Sequence, residues 1–512
     1  MLPLRRQRSS QVFLSYSYAF CVKNPDFAFP SPDSRFSRRE ALNHLLVAGA
    51  STLIGCSSSG KQQAKIIESA PTERFKTVIK NGTVFSGGIL QKLNVGITDQ
   101  GTLRLHEADL QGEKVIDATG KIVSPGFVDI LADDSYSPEQ SYKTFEKYKL
   151  TDGLTTVLQL HGGAENPSTF HQSFDKKRHW TNYGVGIFVM RIRAIMQEEA
   201  ARLRHVEKML DEGALAVCHS LEYQPTPYPE VLKYAKLARK YKRPMFLHLR
   251  YSSREKELEG VKEAIRLAQE AGIRLHINHL HSTGGTFNMP QALQLIREAR
   301  KAGSEITCCI YPYTYWATYL YSKRFDPGWR EMYGLDYKDL RLVGTPMHLD
   351  ARTFELYRRK PGHLVAVPEG TMPFKTTIDL ALQEDFCLIG SDGGIVNEKA
   401  ANSHPRGAGC FATAIRHALD INLPLEKLLP KMTTLPANLV RPALTNRGEL
   451  KNGYVADITI FDPKTIRGKA SVENPNQFST GIEAVILAGK IVYQNSKLIE
   501  EAGQAIRLSG HL

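Results

Sequence analysis

The chain has 512 residues, a formal net charge of +13 and 42% hydrophobic residues, which is enough for one large domain and a smaller one. The positive charge is scattered along the chain and forms no basic block, which argues against nucleic acid as a partner and favours an anionic small molecule. The seven cysteines lack the spacing of a zinc ribbon, so we expect free, mostly buried thiols.

Residues 1–56 are typical of an export signal. Arg38 and Arg39 precede an apolar segment that is shorter than the roughly 20 residues of a membrane span. The arginine pair resembles a Tat signal, and the stretch ending at Cys56 resembles a bacterial lipobox. We therefore expect an exported protein on the periplasmic face of the outer membrane, attached only through a lipid on Cys56. A chance apolar helix in a cytoplasmic protein is the alternative.

After a linker over 57–74, two parts of the chain have a β-rich pattern. Residues 75–125 contain short alternating runs separated by turn pairs such as Asn81-Gly82, and the same pattern returns over 445–500. These two parts predict one small β-sandwich built from both ends of the mature chain. Residues 501–512 form a C-terminal tail.

Residues 126–444 alternate apolar segments with amphipathic helices. The predicted strands are FVDIL, TTVLQL, GVGIFVMRI, ALAVCHSL, PMFLHLR, RLHINHLH, ITCCIYPYT and FCLIGSDGG. This pattern predicts a closed (β/α)₈ TIM-type barrel, in which all strands end at one mouth. A doubly wound open sheet is less favoured because the chain has no glycine-rich dinucleotide turn. Residues 315–385, rich in tyrosine and arginine, predict an insertion over the mouth.

Polar side chains follow the last predicted strands. In an extended chain His279 and His281 would share one face, whereas His276 and Asn278 would share the other. Imidazoles at strand ends with a carboxylate nearby are the groups that a hydrolytic zinc site needs. The candidates from the fifth to the eighth strands are His248, Arg250, His279, His281, Tyr311, Tyr313 and Asp392. A lone histidine would more often be structural, but several at one barrel end favour a metal site.

Several segments, in chain order, resemble the amidohydrolase superfamily and most of all its D-aminoacylase (N-acyl-D-amino-acid deacylase) branch. They span roughly 75–495 and are GKIVSPGFVDILADDS, TDGLTTVLQLHGG, FLHLR, INHLH, YPYTYWATYL, IGSDGG, SHPRGAGCF and KMTTLPANLV followed by NRGELKNGYVADITIFDP. The resemblance implies metal ligands at His248 and His279 and a catalytic aspartate at Asp392. It also implies substrate-binding residues, which are Arg250, His281, Tyr311 and Arg406, with His281 at a position where these deacylases usually have lysine.

The chain departs from this family at its metal ligands. The two histidines of the family's first strand are replaced by Leu131 and Asp133, and the cysteine of the second strand falls at Gly162. We therefore expect a reduced site with a single zinc ion, held by His248 and His279 with help from His161 or Asp133.

The expected function is hydrolysis of the amide bond of an N-acyl amino acid or a related envelope-derived amide that carries a carboxylate. Three alternatives stay open. The first is a metal-independent hydrolase that uses Asp392 with His281, His161 or a tyrosine. The second is an inactive protein that binds an anionic ligand. The third is ring opening of a cyclic amide, although no lysine is placed to become a carbamylated bridge.

Overall fold

The computed structural model describes residues 73–132, 138–251, 253–367, 372–395 and 404–508. The predicted export signal with Cys56, and also Asp133, lie outside these residues. No helix of the described part is both long and apolar enough to span a bilayer.

The secondary-structure elements follow in chain order. The strands are β1 (Arg74–Lys80), β2 (Thr83–Ser86), β3 (Ile89–Lys92), β4 (Asn94–Ile97), β5 (Leu103–His106), β6 (Gln111–Asp117), β7 (Ile122–Pro125), β8 (Phe127–Asp129), β9 (Leu154–Ala164), β10 (Asn182–Phe188), β11 (Val217–Ser220), β12 (Met245–His248), β13 (Leu275–Ile277), β14 (Ile306–Ile310), β15 (Ala317–Tyr319), β16 (Arg341–Leu342), β17 (Leu364–Ala366), β18 (Cys387–Ile389), β19 (Ile458–Phe461), β20 (Ile482–Leu487), β21 (Lys490–Gln494) and β22 (Lys497–Leu498). The α-helices are α1 (Pro138–Thr151), α2 (Pro167–Phe174), α3 (Val189–Ile195), α4 (Glu199–Asp211), α5 (Tyr228–Lys240), α6 (Glu257–Ala271), α7 (Leu280–Thr283), α8 (Met289–Lys301), α9 (Trp329–Tyr333), α10 (Ala351–Arg358), α11 (Ile378–Gln383), α12 (Arg406–Asp420), α13 (Leu425–Leu428) and α14 (Thr434–Leu439).

The central sheet confirms the predicted barrel. Strands β8 to β14 and β18 form an eight-stranded sheet in which all adjacent strands are parallel. Both faces of these strands are buried, because one face fills the barrel interior and the other packs under the helices. Leu158 and Leu160 belong to the interior cluster, whereas Val157 packs in the outer one. The first and last strands meet at a bridge between Ala132 and Gly393.

The small β-domain combines both ends of the described chain, as predicted. Its seven-stranded sheet has the order β22-β21-β20-β19-β7-β2-β3, so strands from the C-terminal part extend an N-terminal sheet. The junction is the antiparallel pair β7 and β19, in which Val123 lies opposite Ile460. A second sheet, β5-β4-β1-β6, contributes Ile79 and Val95 to the apolar cluster that also contains Ile460.

The segment between β14 and β18 is folded and contributes to the mouth. Its strands β15, β17 and β16 form a small antiparallel sheet, and its helices include α9 and α10. Phe325, Trp329 and Phe354 pack against one another in its own apolar core. The aromatic residues of this segment that face the mouth are therefore part of a packed unit.

The C-terminal tail packs against the barrel. Ala505 makes a parallel bridge with Tyr183 of β10, and the amide of Ile506 donates to the Tyr183 carbonyl over 2.7 Å. The side chains of Ile506 and Leu508 are buried in the interior cluster beside Leu158 and Leu215. The tail therefore acts as part of the barrel core.

Replacing Ile506 by alanine should leave a cavity in that core. We expect the Ile506→Ala variant to lose about 2–5 kcal/mol of unfolding free energy in urea, the usual range for a buried isoleucine. The matched control is Ile499→Ala, because Ile499 is 52% exposed. An equal loss in the two variants would contradict the structural role of the tail.

Candidate active site

A cavity of about 410 Å³ opens at the ends of the barrel strands. His161, His248, His279 and Asp392 reach it from the barrel, and the insertion adds an aromatic wall that includes Trp316. This is the end of a TIM-type barrel at which binding and catalytic groups collect.

A bulge in β9 brings His161 to the cavity. The β9–β10 pairing passes from Gln159–Val185 to Ala164–Ile187, so four β9 residues lie opposite Gly186 alone. The bulge requires glycine at position 163, where φ is +110° and an added Cβ would lie 2.3 Å from the Gly186 carbonyl oxygen. Bulges often re-aim side chains next to active sites. Here the bulge places His161 beside Gly162, the position at which the cysteine was expected.

His279 reaches the cavity through an unusual backbone conformation. Strand β13 ends at Ile277, and His279 has φ of +27°, which is rare for a residue with a side chain. The amide of His279 donates to Cys309 Sγ over 3.2 Å. Asp392, after β18, also has a positive φ of +49°. Such conformations persist where the surrounding structure holds them, and they concentrate at functional sites.

The nitrogen atoms of three imidazoles converge. One donor atom each from His161, His248 and His279 lies within 4.8 Å of the other two, and all three residues are buried. The Nε2 atoms of His161 and His279 are 3.4 Å apart. Asp392 completes the group, with carboxylate oxygens 3.5 Å from His161 Nε2 and 3.7 Å from His279 Nε2.

Neighbouring groups orient two of these rings. His248 Nδ1 donates to the Leu249 carbonyl over 3.0 Å. His279 Nδ1 lies 2.9 Å from Ser282 Oγ, which in turn donates to the His279 carbonyl. Both Nε2 atoms therefore carry a lone pair towards the cavity. Burial, helped by the neighbouring imidazoles and Arg406, holds the pKa of His279 well below its usual range, so this ring is neutral at pH 7.

This donor set matches the needs of a zinc ion. A catalytic zinc site uses three protein ligands, and three neutral histidines are one established set. Two nitrogens about 2.0–2.1 Å from a tetrahedral ion lie about 3.3–3.4 Å apart, close to the separation found here between His161 and His279. Three histidine ligands would also leave Asp392 available for proton transfer.

Asp392 is held by Arg406. The arginine Nη2 lies 2.7 Å from Asp392 Oδ2, and its Nε donates to the Asp392 carbonyl over 2.6 Å. The guanidinium stacks on the Tyr311 ring at 4.4 Å from its centroid. Burial raises the pKa of Tyr311 to about 12, so this phenol stays protonated. Tyr311 and Arg406, two of the residues that the resemblance implied for substrate binding, both line the cavity.

Two predicted pocket residues lie elsewhere. Arg250 pairs with Glu263 at 2.8 Å and donates to the Thr226 carbonyl, in a groove separate from the mouth cavity. His281 is fully buried behind the Tyr311 ring, with a centroid distance of 4.1 Å, and does not line the cavity. The resemblance implied both pocket roles, but the strands end at His248 and Ile277, and the chain leaves the sheet before Arg250 and His281.

The sequence interpretation did not single out some residues of the cavity. Ser282, which orients His279, follows directly after the predicted histidine pair, and a serine there was the only available signal. Tyr223 lies 5.1 Å from the His248 ring, in the loop after β11. Arg324 stacks on Trp316 and pairs with Glu222, and only its place in the aromatic insertion pointed to it.

Leu131, at a position where the resemblance implied a histidine, has apolar surroundings. Leu131 is fully buried in the interior cluster, and a Cβ added at Gly390 would lie 2.9 Å from the Leu131 Cβ. A leucine offers no ligand atom, so the described residues of strand β8 and its extension contribute none at this position.

Known proteins similar to this chain include deacylases and dihydroorotases. An N-acyl-D-glutamate deacylase of Alcaligenes xylosoxydans xylosoxydans is 26% identical over 85% of this chain and 97% of its own length. A D-aminoacylase of the same organism is 25% identical over 85% of this chain and 98% of its own length. No protein-family model matches the chain.

The fold is shared with a solved deacylase structure. The N-acyl-D-glutamate deacylase of Bordetella bronchiseptica, complexed with zinc and a phosphonate mimic of the tetrahedral intermediate, has a TM-score of 0.72 and 24% identity, covering 85% of this chain and 100% of that chain. The chain is therefore a homologue of the D-aminoacylase and the N-acyl-D-glutamate deacylase over most of its length, and it shares the fold of the solved deacylase.

Proposed function

We propose that this protein hydrolyses the amide bond of an N-acyl amino acid, with one zinc ion held by His161, His248 and His279. The observation that carries the proposal is the convergence of three buried imidazoles, whose donor atoms lie within 4.8 Å of one another, beside the carboxylate of Asp392. His161 takes the role that the sequence interpretation shared between His161 and Asp133.

The chain's own residues account for the remaining chemistry. When bound, zinc supplies Lewis acidity, which polarises a carbonyl group and acidifies water. Asp392 accepts the proton of the attacking water and then delivers it to the leaving amine nitrogen. Arg406 holds the Asp392 carboxylate in an ion pair at 2.7 Å. The buried position of the group excludes bulk water and strengthens these interactions.

The cavity offers separate surroundings for the two ends of such a substrate. Arg406 lines the side next to Asp392, where its planar guanidinium can receive the substrate carboxylate. Trp316, Tyr319 and Phe188 also line the cavity and can present apolar surface to the acyl group. Relatives that act on N-acyl-D-glutamate support a substrate of this class.

A binding protein without catalysis is the second candidate. The observation in its favour is Leu131, which removes one family ligand position and fills it with an apolar side chain. Zinc binding together with no hydrolysis of any N-acyl amino acid would favour this candidate.

Removing the imidazoles should abolish zinc binding. We expect about one zinc ion per purified, reconstituted chain, and no stoichiometric zinc in His161→Ala, His248→Ala or His279→Ala, because a catalytic site needs three protein ligands. The measurement is metal content together with zinc titration. The control is His276→Gln. His276 is buried in β13, the strand that precedes His279, but its Nδ1 is hydrogen-bonded to Thr307 Oγ1. Full occupancy in a His248→Ala, His279→Ala double variant would rule the site out.

Asp392→Asn should remove the proton acceptor while preserving shape. We expect the rate of hydrolysis of N-acetyl-D-glutamate to fall at least about 100-fold, in the usual range for a positioned proton-transfer group. Steady-state kinetics on zinc-loaded protein, with both enantiomers of the substrate, measure this loss. Retained activity at full zinc occupancy would refute the role of Asp392.

Arg406 should make the protein prefer a substrate with a free α-carboxylate over the same substrate with an amide at that position. We expect the wild type to prefer N-acetyl-D-glutamate over the same compound with its α-carboxylate converted to an amide, by about 10–100-fold in kcat/KM, because hydrogen bonds to charged groups contribute about 1.5–3 kcal/mol. Arg406→Met should remove most of this preference. Arg250→Met should keep it, because Arg250 lies in a different groove. A preference that survives in Arg406→Met would place the carboxylate site elsewhere.

A further inference from the structure

A buried lysine lies directly behind the strand end that carries Asp392. Lys149, in the last turn of α1, is 1% exposed. Its Nζ donates to Asp129 Oδ2 over 2.9 Å and to Ser391 Oγ over 2.8 Å. Burying an ammonium group is costly unless it is paired and hydrogen-bonded, so a lysine retained here needs a reason.

The three side chains form a continuous network across the edge of the barrel. Ser391 Oγ donates to Asp129 Oδ2 over 2.5 Å, and the Ser391 amide donates to Asp129 Oδ1 over 3.1 Å. The amide of Leu131 also donates to Asp129 Oδ1 over 3.1 Å, and the amide of Gly393 donates to Ser391 Oγ over 3.2 Å. The network therefore fixes the residues on both sides of Asp392.

The network lies where the barrel has little backbone pairing. Strands β8 and β18 are the two ends of the sheet order, and their extensions share the single Ala132–Gly393 bridge in the described part of the chain. Asp129 Oδ1 accepts an amide from each of the two extensions, as a carbonyl would in a regular ladder. The side chains thus join the first and last strands at the level of the site.

None of the three network residues lines the mouth cavity. Ser391 and Asp129 are fully buried, so neither can act as a nucleophile or a base on a substrate in that cavity. Asp392, between Ser391 and Gly393, has a φ of +49°, a conformation that needs support from its surroundings. The groups that face its carboxylate are Arg406, His161 and His279.

We propose that Lys149 is a positioning residue, which acts through Asp129 and Ser391 to hold the Asp392 carboxylate against the imidazoles of His161 and His279. The proposal rests on the proposed function, in which Asp392 transfers the proton. An error of about 1 Å in the place of such a group can reduce the rate by about 100-fold. Lys149 therefore contributes to catalysis without contacting substrate or metal.

The test compares Lys149→Met with a matched buried lysine. Lys431 is 2% exposed and donates to the carbonyl of Cys387 over 3.1 Å, at the opposite end of β18. Zinc-loaded Lys149→Met should lose about 10–100-fold in kcat for N-acetyl-D-glutamate with KM within about twofold. Lys431→Met should lower the melting temperature but keep the kcat of the folded protein. Equal losses of kcat in the two variants, or no loss in Lys149→Met, would overturn the proposal.

Two further variants keep the test decisive if Lys149→Met folds poorly. Ser391→Ala removes the hydroxyl link without leaving an unpaired charge, and the Asp129→Asn, Lys149→Met double variant removes both charges together. Both should show the same fall in kcat with zinc content unchanged. Lys149→Arg should restore part of the rate lost in Lys149→Met. Full activity in Ser391→Ala and in the double variant would contradict the positioning role.

Crystal structures separate failure of this proposal from failure of the proposed function. If zinc-loaded wild type hydrolyses no N-acyl amino acid, the proposed function fails, and the position of Asp392 still decides the role of Lys149. A carboxylate displaced by about 1 Å or more in Lys149→Met relative to wild type supports positioning, on the distance scale that matters for catalysis. An unmoved carboxylate rules positioning out.

Discussion

The site depends on the close approach of three imidazole nitrogens to one another and of two of them, from His161 and His279, to the carboxylate of Asp392. Parallel barrel strands end at a common mouth, but this arrangement alone does not turn side chains inwards. Here the β9 bulge directs the His161 side chain into the cavity, and positive φ values direct the side chains of His279 and Asp392. Local backbone geometry, held by the barrel, therefore determines whether the four groups meet.

Charge balance explains how so many polar groups are tolerated in a buried space. Burial keeps His279 neutral, and Arg406 compensates the charge of Asp392. Behind the strand end, Lys149 compensates Asp129 in the same way. A buried ion is stable when it is paired and hydrogen-bonded, and both carboxylates satisfy this condition. Two separate buried ion pairs thus stabilise this end of the barrel: Asp392 with Arg406 in the cavity, and Asp129 with Lys149 outside it.

The proposed zinc site takes its third ligand from the bulge in β9. Leu131 fills the interior beside Gly390, and His161 lies next to Gly162, where the resemblance implied a cysteine. A histidine on a bulge can reach further into the mouth than a residue held in the regular strand. The proposed single-zinc site therefore lies on the β9, β12 and β13 side of the barrel, and the β8 side serves to hold Asp392 through Asp129.

The alternation of apolar strands with amphipathic helices, and the β-rich pattern at both ends, determined the barrel and the shared β-domain before any coordinates, because hydrophobic periodicity reflects local structure and burial. The same pattern, with the family resemblance, named His248, His279, Asp392, Tyr311 and Arg406. Only the tertiary structure decided between neighbouring residues after the strands end: His279 faces the cavity and His281 does not, and Arg250 pairs with Glu263. It also showed the contacts of Ser282 with His279 and of Lys149 with Asp129 and Ser391. Strand alternation predicts side-chain direction only within a strand, whereas bulges, positive φ values and contacts between distant segments are set by packing of the whole chain.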